Sequence, residues 1–66
     1  MKAETIKRLI LCHKKARSKR DYRTMSNIEN ILYRKKQYVA MEMVHEARYL
    51  GAYAMYANLE EYLNFN

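Results

Sequence analysis

Few side chains in this 66-residue chain have the chemistry of a catalyst. Cys12 is the only cysteine, and with His13 and His45 it supplies too few ligands for a zinc site and no partner for an intrachain disulfide. No nucleophile, base and orienting group occur together, and there is no glycine-rich phosphate loop. The carboxylates are scattered, and adjacent Glu60 and Glu61 fall ~100° apart on a helix, as on a solvated face. The sequence therefore nominates no catalytic residue, no metal and no cofactor. Binding is the chemistry its residue types support.

The side chains suited to binding are cations. Lys14, Lys15, Arg17, Lys19, Arg20 and Arg23 crowd around one point of the chain, and Tyr33-Arg34-Lys35-Lys36-Gln37-Tyr38 is a second basic cluster bracketed by aromatics. Lysines and arginines so placed neutralise phosphates and release counterions, giving salt-dependent binding with little choice of sequence. Tyr33 and Tyr38 offer stacking surfaces for unpaired bases, or else ordinary boundary packing with the hydroxyl outward. The formal charge of +6 is unevenly spread. Residues 1–37 hold twelve Lys and Arg against Glu4, Asp21 and Glu29, a balance of +9, whereas residues 38–66 hold Arg48 against four glutamates, a balance of −3. A molecule polarised in this way turns its basic half toward a polyanion.

Helices must position these cations, because the chain has one glycine, no proline and apolar residues at helical spacing. Ile6, Leu9, Ile10, His13 and Ala16 line one side of a first helix from Ala3 to about Arg17, with His13 as a packed core residue and Leu11 exposed. Ser18-Lys19-Arg20-Asp21 is a short connection, and Asp21 is suited to cap the next helix. So short a link folds the second helix back against the first, as an antiparallel hairpin with Ile6, Leu9 and Ile10 facing Met25, Ile28 and Leu32. Met25, Ile28, Leu32, Val39, Met43 and Leu50 form one continuous stripe, so the second helix is expected to run unbroken to about Leu50, ~45 Å in all. Gly51 then caps it, and a returning helix from Ala52 to about Leu63 presents Ala52, Tyr56, Leu59 and Leu63. The alternative is a helix continuous across Gly51, with Ala47, Gly51 and Ala54 as a close-contact seam. No internal repeat is visible.

The fold class expected is all-α: a single small helical domain over 1–66, with a basic hairpin half (1–37) and a Tyr/Met-rich assembly half (38–66). A chain this short buries only ~60% of its unfolded surface, so a second subunit is the natural supplement. Met43, Tyr49, Tyr53 and Tyr56 are the residues expected at a homodimer or partner contact, since methionine and tyrosine suit interfaces. No apolar run is long enough to span a bilayer and no leader is recognisable, so the expected location is cytoplasmic.

The Arg20-Asp21-Tyr22 turn followed by Ile28-Glu29-Asn30 resembles the hairpin of the sporulation checkpoint antikinases, over a short part of the chain and with a different spacing between the two motifs. That resemblance implies two short helices joined by an Arg-Asp-aromatic turn. The residues themselves lead to a nonenzymatic regulatory protein whose basic hairpin binds nucleic acid or a nucleoprotein. The alternative is an inhibitor or adaptor of the kind phages carry, docking on an acidic surface of a larger host protein.

Overall fold

The computed structural model describes residues 1–50, 56–59 and 61, and every regular element among them is helical. Helices α1 (Ala3–Ser18), α2 (Tyr22–Arg34) and α3 (Tyr38–Leu50) follow one another through connections of three residues each, and residues 56–59 add a further helical turn. The all-α class read from the sequence is the observed one. Ile6 and Ile10 of α1, Ile28 and Leu32 of α2, Ala40, Val44 and Ala47 of α3, and Tyr56 and Leu59 make one buried cluster. The two alanines of α3 leave room for its axis to approach its neighbours. His13 and Ala16 are buried as the first-helix spacing predicts, Leu9 is partly buried and Leu11 is exposed.

The second helix does not run to Leu50. It stops at Arg34, and the chain reverses through Lys35-Lys36-Gln37 into α3. Lys36 takes a left-handed conformation with φ of 59°. The Gln37 N–H then donates to the Leu32 carbonyl at 2.8 Å and the Lys36 N–H to Tyr33 at 3.0 Å, so the last carbonyls of α2 are satisfied by a Schellman turn. The first connection is built alike: Arg20 has φ of 58°, and the N–H groups of Asp21 and Arg20 donate to Ala16 at 2.8 Å and Arg17 at 3.1 Å. In each turn the residue after the left-handed cation opens the next helix. Asp21 accepts from the Thr24 N–H at 3.2 Å and from its hydroxyl at 2.6 Å, and the Gln37 carbonyl accepts from the Met41 N–H at 2.9 Å.

Left-handed backbone normally falls to glycine, and a residue with a Cβ gives up about 1–2 kcal/mol there. Two closing hydrogen bonds and the burial of the helices on either side offset that penalty. The break also resets the helical phase. Ala40, Val44 and Ala47 face the core, while Val39 and Leu50, expected on the buried stripe, are 52% and 73% exposed and Met43 is half-buried.

Tyr56 and Leu59 pack on the bundle as a returning segment would. Gly51, Ala52, Tyr53 and Leu63, on which the cap, the seam and part of the assembly surface were expected, lie outside the described residues. No helix among the described residues is long and apolar enough to cross a membrane.

Candidate nucleic-acid interface

Helix α2 has an inner and an outer side, and each organises a set of polar residues. On the inner side Glu29 shares the buried face with Met25, Ile28 and Leu32. Its carboxylate accepts from three side chains: His13 Nε2 of α1 at 3.1 Å, His45 Nδ1 of α3 at 2.5 Å and Arg48 Nη1 of α3 at 3.0 Å. Burial pushes the Glu29 carboxyl up, and the hydrogen bonds from His45, His13 and Arg48 outweigh it, so the group stays ionised below its ordinary range. Burial dominates at His13 and lowers its pKa despite Glu29, with Arg48 and Arg17 lowering it further. A neutral His13 with Nε2–H on Glu29 has a bare Nδ1, which accepts from the Tyr56 hydroxyl at 2.8 Å. One carboxylate thereby ties α1, α2, α3 and the C-terminal segment together. Among the described residues no group of His, Cys, Asp and Glu is arranged to hold a metal ion.

Tyr56 is thus a core residue, 1% exposed, and not a surface available to a second copy as its type suggested. Its ring fills the core and its hydroxyl is held by His13. Met43 packs partly against the same core, Tyr49 is exposed, and Tyr53 is outside the described residues.

On the outer side, Arg23, Asn27, Asn30 and Arg34 succeed one another at steps of four, three and four residues, about 180° from the buried row at 100° per residue. All four are exposed, and none of their side chains enters a hydrogen bond or ion pair with another described residue. No acidic residue shares this face. Asn27, Asn30 and Arg34 line an open groove of about 540 Å³ with Ile31 and Tyr33.

The two turns stand at the two ends of this face. Lys19, Arg20 and Arg23 are exposed at the first; Tyr33, Arg34, Lys35 and Lys36 are exposed at the second, where Tyr33 meets Tyr38 edge to face at 5.7 Å. Arg17 and Arg20 also line a cavity of about 330 Å³ with Ser18, Tyr22, Met25 and Arg48. The Arg48 guanidinium lies over the rings of both Tyr22 and Tyr49, 5.8 and 5.2 Å from their centroids, within cation–π range. Of the nine cations and aromatics expected to bind, Arg20, Arg23, Arg34, Lys36, Lys19 and Tyr33 surround α2. Lys15 is exposed on α1, where Lys14 is half-buried, and neither lines these two cavities.

The residue pattern does not place Arg48, Tyr22, Asn27 or Asn30 among the binding residues. For Asn27 and Asn30 a signal exists: both lie at helical spacing between Arg23 and Arg34. For the pairing of Arg48 with Glu29 there is none, because it depends on where α2 ends. Comparison with protein-family models, curated proteins and solved structures finds no significant match to this chain.

Proposed function

We propose that this chain is a nonenzymatic nucleic-acid-binding protein of regulatory type, and that the outer side of α2 with its two flanking turns is the contact surface. One observation carries the reading: cations held in exposed turns, closed by the same pair of backbone hydrogen bonds, at both ends of a helix whose outer face carries no carboxylate. Arg20 and Lys36, both in left-handed backbone, stand at the two ends of α2 in a bundle tied through Glu29, where they can contact phosphates. Phosphates neutralised there release counterions, so affinity falls steeply with salt.

The test is fluorescence anisotropy of the full chain with unrelated 20-mers of single-stranded DNA, duplex DNA and RNA at two salt concentrations. Binding that collapses at the higher salt is expected. Arg20→Ala with Lys36→Ala should weaken it across unrelated sequences and make the slope of log K against log[salt] shallower by roughly one for each cation removed. Absence of binding at low salt would overturn the proposal and turn attention to an acidic protein partner, with exposed Tyr49 and Leu50 as the surface to vary.

A further inference from the structure

Asn27 and Asn30 are the residues of α2 that folding explains least. Asparagine is a weaker helix former than alanine, lysine or glutamine, because its short amide competes with the backbone. Both nevertheless sit in the middle of the helix, on the side away from the core, with no side-chain bond to a described residue. Arg23 stands four residues before the first and Arg34 four after the second, completing one row without a carboxylate. A phosphate can accept from an amide N–H, but only a base edge engages the amide's acceptor together with its donor. A carboxamide places a donor beside an acceptor and matches the N6 and N7 edge of adenine in the major groove, as a guanidinium matches O6 and N7 of guanine.

We propose that α2 is a recognition helix whose outer row, Arg23, Asn27, Asn30 and Arg34, reads base edges in the major groove of duplex DNA. This rests on the nucleic-acid reading above and adds sequence choice to it. The dimensions agree. Thirteen residues make α2 about 20 Å long, and the groove is about 12 Å wide. Both ends therefore clear the groove, which puts Arg20 and Lys36 beside the phosphates of its two walls. Asn27 and Arg34, about 10 Å apart along the helix, lie within the groove's width. Duplex RNA does not fit, since its major groove is too deep and narrow for side chains to read.

The experiment selects duplexes bound by the full chain from a pool of random 20-base-pair DNA. Wild type and the Asn27→Ala/Asn30→Ala variant are then titrated against the selected duplex and a scrambled one. Enrichment of a short motif containing adenine and guanine is expected, with a wild-type preference of at least about fivefold over the scrambled duplex. The variant should bind both duplexes alike, within about twofold of the wild-type affinity for the scrambled one. Circular dichroism of the variant establishes that the fold is intact. Binding without enrichment, a preference retained by the variant, or tighter binding to duplex RNA would overturn the recognition helix while leaving electrostatic binding in place. No duplex bound at low salt would overturn both.

Discussion

The inner and outer sides of α2 handle polar side chains in opposite ways. Inside, Glu29 gathers donors from α1 and α3, and one of them, His13, finds a second partner in Tyr56. Outside, two amides and two guanidiniums bond to no described side chain. Water explains why the outer row is tolerated, because an exposed polar group is solvated without help, whereas a buried one left unpaired costs about 1–3 kcal/mol. It does not explain why two weak helix formers, Asn27 and Asn30, stand in that row. The inner network is thus the part of α2 that ties the bundle together, and the outer row is the part that makes no bond to it.

Variants of each side separate the two roles. The largest effect belongs to Glu29→Ala, which strips His13 and Arg48 of their shared acceptor and should cost about 3–5 kcal/mol in urea denaturation. A loss below 1 kcal/mol would mean that the network does not tie the bundle. Acid should act on the same residues in two steps. His13 is held below its ordinary 6.5, so the unfolded chain binds a proton that the folded chain resists, and stability falls as pH drops below 6.5. Glu29, held below 4.5, adds a second loss under that pH. A stability that is flat from pH 7 to 5 would contradict the buried neutral histidine.

Smaller effects follow. Tyr56→Phe keeps the buried ring but removes the donor to His13, and should cost about 1 kcal/mol by the same denaturation. Lys36→Gly should stabilise by up to about 1 kcal/mol, relief of the left-handed penalty exceeding the extra entropy of the unfolded chain. It should also weaken nucleic-acid binding by removing a cation, an opposition that a purely structural turn would not show. At the bottom of the scale, Asn27→Ala/Asn30→Ala should leave stability unchanged or raise it by a few tenths of a kcal/mol. A clear loss would reveal a structural duty for the outer row and narrow the contrast between the two sides.

Much of this architecture is legible in the sequence. Ile6, Ile10, His13 and Ala16 announce the buried side of α1 by spacing alone, and Asp21 announces the start of α2 by its capping chemistry. The end of α2 was not legible, because its reversal is made at a lysine. Turn signals depend on glycine, asparagine and proline, and Lys35-Lys36-Gln37 carries none. The one trace is a recurrence that the absence of a longer repeat concealed: Lys19-Arg20-Asp21-Tyr22 and Lys35-Lys36-Gln37-Tyr38 stand sixteen residues apart, each with a methionine three residues beyond its tyrosine. Missing that turn carried Val39 and Leu50 onto a buried face they do not occupy. The basic clusters were legible as clusters, but their place at the two ends of α2 was not, because a helix running on to Leu50 puts residues 34–36 in its middle.

The most direct test of the functional contrast is to follow backbone and side-chain amide resonances of the ¹⁵N-labelled chain while duplex DNA is added. Perturbations concentrated at residues 19–23 and 34–36 and at the side-chain amides of Asn27 and Asn30 are the predicted result, with Val44, Ala47 and Leu59 in the core undisturbed. Perturbations confined to the exposed end of α3 at Tyr49 and Leu50, or none at all, would contradict the assignment of binding to the outer side of α2.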